Sequence, residues 1–313
     1  MGFFQYMMSQ NGLSIQNIIN GPLGILFLLA VTKLLPPKAG YWLADRLGGM
    51  IARRNNSSIV QAVRVNQWVA AGCKPSAKEL DQLTRAVFVN HGHCLYDFYR
   101  FINDPSEINR LVTLDDKFRE CIINSRSHNH PQILVTPHFS NYELAARAAA
   151  LNGLTMQILS FPNPGRSYRW QNKFRNFKGI EVTPISISSL HKALKRLEGG
   201  GTILTGIDRP NGGEGFHPIF FGKPASLPTG IIRLAIKTGV PVSLILCSST
   251  DDGRYNLSVS DPICMKQNEE AEVEEKQYAE NILASVEDLI NSDRSQWSMF
   301  YPIWPDVMKD LPI

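Results

Sequence analysis

A histidine at the end of an apolar run, with a glutamate five residues later, is the pattern in this chain that most suggests chemistry. Residues 133–153 read ILVTPHFSNYELAARAAALNG, with His138 just after a β-prone run and Glu143 near the start of a helical pattern. Catalytic groups of open α/β sheets gather at the carboxyl ends of strands. A carboxylate on one imidazole nitrogen fixes the tautomer and leaves the other nitrogen to accept a proton from an alcohol. His138 and Glu143 are therefore candidates for a catalytic base and its partner.

The same residues also fit a structural pattern. Ser140 and Glu143 have the spacing of a capping box, in which the two side chains cap the first turn of a helix reciprocally. Spacing alone leaves both interpretations of Glu143 open.

Positive side chains follow at positions suited to a phosphorylated substrate. The segment 166–178 contains five of them: Arg166, Arg169, Lys173, Arg175 and Lys178. Such groups bind the phosphate of a lipid or of a carrier's pantetheine arm. A solvated basic helix face has the same composition, so each of these residues also has a structural interpretation.

Two further segments could contribute to a site. Asp208 and Arg209 end the apolar run TILTGI, and in a parallel sheet they would lie beside the site. Asp208 would either orient Arg209 towards a phosphate or cap the turn DRPNGG. Phe220 and Phe221 would either line an acyl pocket or belong to the core.

Several other classes of site lack their characteristic patterns. The sequence has no G-x-S-x-G motif, so we expect no covalent acyl-enzyme, and no G-x-G-x-x-G or P-loop pattern, so we expect no cofactor. His91 and His93 are two positions apart in a helical pattern and should point apart, and the five cysteines are scattered, so we expect no metal site. A net charge of +4 does not indicate nucleic acid binding.

The elements that must position these groups alternate between strands and helices. Strands are predicted at 133–136, 156–161, 180–185, 202–207, 241–247 and 255–259, with helices at 141–152, 167–177, 188–198, 228–238 and 272–291. This alternation predicts an α/β fold with a mainly parallel central sheet flanked by helices.

The amino-terminal residues suggest contact with a membrane. Residues 1–32 carry no charged side chain, and residues 21–35 form an apolar run that is marginal in length for a transmembrane helix. Basic residues follow, which favours either a cytoplasmic position for the rest of the chain or contact with anionic lipid headgroups. A buried core helix is the alternative. We predict a membrane-associated segment at 1–37, a helical region at 38–120 and an α/β catalytic domain at 121–313.

Taken together, these segments resemble the lipid A biosynthesis late acyltransferases, the lauroyl and myristoyl transferase family, which are relatives of the glycerolipid acyltransferases with an H-x4-D/E motif. The resemblance covers most of the chain, through the blocks HFSNYELAARA, NPGRSYRWQNKFRNFKGIEVTP, LHKALKRLEGGGTILTGIDRP, FFGKPASLPTGIIRLAIKTGVPV and QWSMFYPIWP. Asp208-Arg209 departs from the family's usual Asp-Gln pair, and residues 296–304 depart from its W-x-W followed by basic residues.

The resemblance implies an O-acyltransferase that moves a fatty acyl chain from acyl carrier protein or acyl-CoA to a hydroxyl of a lipid or glycolipid acceptor. It marks His138 and Glu143 as the catalytic pair. It also marks an arginine that Arg175 matches best, and the charge and position of Arg169, Asp208 and Arg209 make them the other expected substrate-binding residues. It further implies a position at the cytoplasmic face of the cell inner membrane, held by one amino-terminal span or an interfacial helix. The alternatives are a lysophospholipid or phosphoinositide glycolipid as acceptor, or a non-catalytic lipid-binding protein of the same fold.

Overall fold

The computed structural model describes residues 22–126, 130–162, 164–210, 216–265 and 271–312. Its first helices are α1 (Pro22–Leu34), α2 (Pro37–Ala52), α3 (Ser58–Ala70), α4 (Ala77–Phe101) and α5 (Pro105–Leu111). Next come β1 (Val112–Leu114), α6 (Asp116–Ser125), β2 (Gln132–Thr136), α7 (Tyr142–Leu151), β3 (Met156–Ser160), α8 (Arg166–Arg175), β4 (Ile180–Pro184), α9 (Ile187–Glu198) and β5 (Thr202–Gly206). The remaining elements are β6 (Ile219–Phe220), β7 (Lys223–Pro224), α10 (Gly230–Thr238), β8 (Val242–Ser249), β9 (Tyr255–Val259), α11 (Ala271–Ser292) and the 3₁₀ turns Arg294–Gln296 and Pro305–Asp310.

Seven of the described strands form one sheet in the order β1-β9-β8-β2-β5-β3-β4. Neighbouring strands are parallel except for β8 and β9, which are antiparallel. The predicted α/β fold with a mainly parallel sheet flanked by helices is therefore confirmed. Strand β1 and the short hairpin of β6 and β7 were not predicted, because runs of two or three residues are too short to show a period.

Side chains of the central strands alternate between two apolar cores, one on each face of the sheet. In β2, Ile133 and Val135 belong to one core and Leu134 to the other. Helices α3, α9, α10 and α11 cover the first side, called here the α9–α10 face. Part of α4 together with α5, α6 and α7 covers the second side, called here the α7 face. Because both faces are covered, the carboxyl ends of the strands are the natural place for a site.

Helix α1 packs onto the α7 face. Ile25 is buried in the core of that face, and Arg100 donates hydrogen bonds to the carbonyls of Thr32 at 2.6 Å and Leu35 at 3.0 Å. Helix α1 has 13 residues, and none of the described helices has both the length and the apolar character needed to span a membrane. Residues 1–21 of the predicted membrane-associated segment lie outside the described residues.

Candidate active site

The turn after β2 places His138 at the carboxyl edge of the sheet. Strand β2 ends at Thr136, and the chain then turns through Ser140, whose φ of 53° lies in the left-handed region. Helix α7 begins with Asn141 as its cap, since the Asn141 side chain accepts a hydrogen bond from the Leu144 N–H at 3.3 Å.

The capping box considered for Ser140 and Glu143 does not form. Ser140 takes the left-handed conformation one residue before the cap, so Asn141 occupies the position from which a side chain reaches the free N–H groups of the first turn. The Glu143 carboxylate is therefore free to point away from the helix end.

Asp208 holds the His138 turn from the neighbouring strand. Strands β5 and β2 pair in parallel, so the residues that follow them lie side by side. Asp208 Oδ1 is 2.7 Å from His138 Nδ1, and Oδ2 accepts a hydrogen bond from the His138 backbone N–H at 2.9 Å. Trp297 Nε1 also donates to Oδ2, at 2.9 Å. The Asp208 side chain is 0% exposed, so these protein groups replace water as its hydrogen-bonding partners.

The bond to Asp208 sets the proton position on the imidazole. An ionised carboxylate only accepts hydrogen bonds, so Nδ1 of His138 carries the ring proton and Nε2 is the basic nitrogen. Within the described residues, Nε2 has no hydrogen-bonding partner. Gly206 provides room for the ring, because a Cβ at that position would lie 3.1 Å from His138 Cε1. The arrangement orients the imidazole so that Nε2 faces away from Asp208 and is available as an acceptor.

Glu143 lines the same cavity as His138 but binds Arg175. Arg175 donates to Glu143 Oε1 from Nη2 at 2.5 Å and from Nε at 3.1 Å, and Gln171 Nε2 is 3.4 Å from the same oxygen. Burial alone would lower the pKa of Arg175, but the Glu143 carboxylate raises it well above its ordinary value. Although both residues are described, no hydrogen bond joins Glu143 to His138. The predicted pair is thus brought into one cavity without direct contact between its polar groups.

Arg209 presents a positive charge to the cavity without an acidic partner among the described residues. Its guanidinium carbon lies 4.0 Å from the ring centres of both Phe161 and Tyr301. Stacking on aromatic faces fixes the guanidinium plane and leaves its N–H edge for a phosphate or carboxylate. Its Nε is buried and has no hydrogen-bonding partner in the part of the chain that the structure describes.

Tyr168 lies between the two arginines. Its ring centre is 5.3 Å from the guanidinium carbon of Arg175 and 5.2 Å from that of Arg209. Burial would raise the pKa of Tyr168, but the charges of Arg175 and Arg209, and the hydrogen bond that Arg175 donates at 3.0 Å, lower it below its ordinary value. This side of the cavity is therefore electropositive.

Arg169 lies apart from this cluster, whereas the partly buried His91 is near enough for the charges of Glu143 and His138 to act on its pKa. Arg169 is exposed on α8 and does not line the cavity. His91 and His93 point apart as predicted: the His91 ring lies 4.7 Å from that of Phe300, whereas His93 Nε2 is 2.8 Å from Asp45 Oδ1.

A cavity of about 830 Å³ opens beside His138. Glu143, Arg175 and Arg209 also line it, and most of its remaining wall consists of aliphatic and aromatic side chains from both faces of the sheet. Asp208 does not line it, so the residue predicted to bind substrate contacts the imidazole instead. An apolar cavity with a few polar groups at one point is typical of a site for an amphipathic ligand.

Residues 296–304 lie across the His138 turn. The Ser140 N–H donates to the Gln296 carbonyl at 2.8 Å, and the Ser298 N–H donates to the His138 carbonyl at 2.9 Å. These bonds hold the backbone on both sides of the imidazole, in addition to the bond from Trp297 to Asp208.

Helix α3 holds this segment from the opposite side. The buried Asn66 side chain donates to the carbonyls of Met299 at 3.1 Å and Tyr301 at 2.8 Å, and accepts from the Ile303 N–H at 3.0 Å. Sequence reasoning missed Asn66 and Trp297. Asn66 lies within the mostly apolar helical stretch SSIVQAVRVNQWVAAG. A polar side chain in such a stretch indicates a buried hydrogen bond, and this was the signal available in the sequence.

Phe220 belongs to the core and the partly buried Phe221 packs against it, which decides between their two interpretations. Phe220 is buried, and its ring lies 6.0 Å from Trp297 and 5.8 Å from Trp304. Neither phenylalanine lines the cavity. They support the segment that carries Trp297.

Comparison with known proteins identifies the family of the chain. Residues 13–305 match the family described as bacterial lipid A biosynthesis acyltransferase. A comparison with curated proteins found no match. The family match spans nearly the whole chain and includes the His138 turn, Asp208 and Trp297, which confirms the resemblance seen in the sequence blocks. The chain belongs to the bacterial lipid A biosynthesis acyltransferase family.

Proposed function

We propose that the protein transfers a fatty acyl group from a thioester donor to a hydroxyl of a lipid acceptor, with His138 as general base. One observation carries the proposal: the imidazole is bonded through Nδ1 to a fully buried carboxylate and lines an apolar cavity. A base oriented in this way, beside space for a hydrocarbon chain, suits acyl transfer to an alcohol.

In the proposed reaction, His138 carries one proton from the acceptor hydroxyl to the leaving thiolate. Nε2 of His138 takes the proton of the acceptor hydroxyl as its oxygen forms a bond to the thioester carbonyl carbon. The tetrahedral intermediate then collapses, the carbon–sulfur bond breaks, and the imidazolium returns the proton to the thiolate. Asp208 stabilises the imidazolium and holds the ring in place. In this mechanism Glu143 is a positioning residue that neutralises and fixes Arg175.

The properties of the cysteine in the cavity favour direct acyl transfer from donor to acceptor. Cys247 lines it, and burial raises the pKa of its thiol to about 12. Such a thiol is protonated at neutral pH and a poor nucleophile. In this proposal the acyl group passes from donor to acceptor without a thioester to Cys247, in line with the expectation of no acyl-enzyme.

The charges at the site favour an anionic acceptor. Glu143 is neutralised by Arg175, whereas Arg209 keeps its guanidinium edge available. Either a phosphorylated glycolipid, as the family implies, or a lysophospholipid supplies such an anion. The donor is an acyl thioester of acyl carrier protein or of CoA.

We further propose that α1 and α2 contact the cytoplasmic surface of the inner membrane. Leu26, Phe27 and Trp42 are more than half exposed there, and the Arg46 guanidinium lies 5.4 Å from the Trp42 ring. Exposed apolar groups beside cations are typical of an interfacial helix. Phe27→Ser with Trp42→Ser should reduce co-sedimentation with phosphatidylglycerol vesicles, whereas Ile123→Ser, an exposed site on α6, should not. Equal sedimentation of both variants would exclude this surface.

The test of the reaction uses purified protein, radiolabelled palmitoyl thioesters of acyl carrier protein and CoA, and a bacterial lipid extract. We expect labelled lipid with the wild type and none with His138→Ala. Release of labelled fatty acid alone would identify a thioesterase, and binding without turnover would identify a lipid-binding protein. Mass spectrometry of the labelled lipid names the acceptor.

A further inference from the structure

The N–H groups of the Arg175 guanidinium all meet acceptors within the protein. Nε and Nη2 donate to Glu143 Oε1, at 3.1 and 2.5 Å. Nη1 donates to Tyr168 Oη at 3.0 Å and to Asn172 Oδ1 at 3.4 Å, and Nη2 also donates to Tyr142 Oη at 3.5 Å. A guanidinium has five N–H donors, so these contacts leave none of them for a substrate. Arg175 therefore reaches a ligand in the cavity through the groups that it binds.

The two tyrosines on Arg175 direct their hydroxyl protons differently. Tyr142 Oη lies 3.5 Å from Glu143 Oε1, so its proton has an acceptor in the protein. The Tyr168 hydroxyl accepts the hydrogen bond from Arg175, and no described residue accepts its own proton. Both tyrosines line the cavity beside His138. Tyr168 thus has a hydroxyl proton available for a ligand in the cavity, whereas Tyr142 has not.

The charged groups that face Tyr168 strengthen its hydroxyl as a donor. They are Arg175 of α8, Arg209 in the loop after β5, and Glu143 of α7, with Tyr142 beside them. Burial would raise the pKa of Tyr168, as would Glu143, but the two arginines lower it below its ordinary value. Burial and Glu143 raise the pKa of Tyr142 instead. A phenol polarised by a guanidinium donates a stronger hydrogen bond to an anion, as long as it keeps its proton.

Two connections hold the Tyr168 hydroxyl in relation to the imidazole. The Tyr142 ring lies edge-on to the His138 ring at 5.2 Å, and its hydroxyl contacts Arg175, which in turn binds Tyr168. On the other side, the Tyr168 ring centre is 5.2 Å from the guanidinium carbon of Arg209. The loop that carries Arg209 also carries the carboxylate that binds the imidazole. A donor fixed in this way needs no rearrangement when charge develops beside the base.

We propose that Tyr168 is a catalytic residue whose hydroxyl donates a hydrogen bond to the oxyanion of the tetrahedral intermediate. The proposal rests on the proposed function, because addition of the acceptor oxygen to the thioester carbon moves the carbonyl π electrons onto the carbonyl oxygen. These electrons return when the carbon–sulfur bond breaks, so Tyr168 keeps its proton throughout. His138 removes the proton of the acceptor hydroxyl, and Tyr168 lowers the energy of the intermediate that the attack produces.

Tyr168→Phe in the full chain is the first test, because it removes the hydroxyl and keeps the ring between the two guanidinium groups. The assay uses a bacterial lipid extract and the palmitoyl thioester that gives product with the wild type. We expect kcat to fall about 100- to 1,000-fold, the loss typical of one oxyanion donor. The KM values for donor and acceptor should change less than about threefold, since this hydrogen bond strengthens only in the transition state.

Tyr142→Phe is the matched control, because it removes a hydroxyl from the other side of the same guanidinium and keeps the ring against the imidazole. Its kcat should stay within about fivefold of the wild type, since hydrogen bonds of 3.5 Å are weak. Thermal unfolding checks that both variants fold. Equal losses of kcat in the two variants would assign the effect to a displaced Arg175 and overturn the proposal. A raised acceptor KM with unchanged kcat in Tyr168→Phe would also overturn it, because the hydroxyl would then bind the acceptor before reaction.

Replacing Tyr168 by 3-fluorotyrosine tests the hydroxyl without removing it, and serves if Tyr168→Phe fails to fold. The hydroxyl donates only while it is protonated, so kcat should fall as the pH rises through the pKa of Tyr168. Fluorine lowers the pKa of a phenol, and we therefore expect this fall at a lower pH in the fluorinated enzyme than in the wild type. Coincident pH profiles of kcat would contradict the proposal.

Failure of this proposal is distinguishable from failure of the proposed function. If the wild type transfers acyl groups and Tyr168→Phe keeps kcat within about tenfold, only the role of Tyr168 is wrong. If the wild type releases palmitate without transfer, the proposed reaction is wrong. Hydrolysis of a thioester passes through the same kind of oxyanion, so the release rate of Tyr168→Phe still tests the hydroxyl. A wild type with neither reaction would overturn both.

Discussion

Two carboxylates lie near His138, and the protein holds them in opposite ways. Asp208 has no exposed side-chain surface and accepts hydrogen bonds from an imidazole, a backbone amide and an indole. Glu143 is 15% exposed at the cavity wall and is bound by the guanidinium of Arg175. Asp208 can stabilise the positive charge that the imidazole gains with a proton, whereas Glu143 already pairs with the positive charge of Arg175. Glu143 therefore reaches the cavity because it is close to His138 in sequence. The carboxylate that contacts the imidazole, Asp208, comes instead from the neighbouring strand.

The largest effect is expected from Asp208→Asn. The amide keeps the size of the side chain but removes the charge that stabilises the imidazolium, so kcat should fall about 1,000- to 10,000-fold. The double variant with His138→Ala should be hardly worse than His138→Ala alone, because residues that act as a unit are non-additive. Steady-state rates and thermal unfolding of each variant check this. A properly folded Asp208→Asn enzyme within tenfold of the wild-type kcat would separate Asp208 from the mechanism.

Glu143→Gln should have an intermediate effect. It leaves Arg175 without its counter-charge, so we expect a loss of about 1–3 kcal/mol in the free energy of unfolding. Because α8 would then be displaced, we also expect kcat to fall 10- to 100-fold, roughly the effect of a 1 Å misplacement. Glu181→Gln is the control, since Glu181 forms a more exposed ion pair with Lys192 and should be nearly silent. A larger loss of kcat for Glu143→Gln than for Asp208→Asn would instead make Glu143 the partner of His138, as the family's pattern implies.

The two arginines extend the comparison to substrate binding. Arg175 is occupied by Glu143, whereas Arg209 is held by Phe161 and Tyr301 and meets no acid among the described residues. Arg209→Lys should raise KM for an anionic acceptor about tenfold with little change in kcat, because lysine lacks the planar pair of donors. Acceptor titrations at fixed donor concentration measure this. A lower kcat with unchanged KM would place Arg209 in the transition state instead.

The smallest effect is expected from Trp297→Phe. It removes one of the hydrogen bonds to Asp208 and should cost about 1–2 kcal/mol of stability, with a several-fold loss of kcat. Trp304→Phe is the matched control, because Trp304 lies in the same aromatic cluster but its indole N–H has no partner among the described residues. Equal kcat values for the two variants would show that the indole bond does not matter for catalysis.

The sequence predicted the central strands because they are short apolar runs separated by helical patterns, and it placed His138 at a strand end for the same reason. It could not predict the pairing of β2 with β5, since the order of parallel strands depends on crossover connections that leave no local pattern. Asp208 was therefore identified as a candidate, but its bond to His138 was not. The capping box does not form because Ser140 takes a left-handed conformation, which the sequence pattern did not indicate. The role of Trp297 depends on its hydrogen bond to Asp208, a residue distant in sequence.

The hydrogen bonds around Asp208 join residues made at different times. His138 and Asp208 are 70 positions apart, and Trp297 follows Asp208 by 89. At about 5–20 residues per second, the ribosome needs roughly 10–30 s to proceed from the histidine to the tryptophan. Helices α1 and α2 have left the ribosome long before then. If the chain docks at the bilayer during translation, as proposed above, the hydrogen bonds around Asp208 are still incomplete at that point, and they are completed only after the segment around Trp297 has folded back.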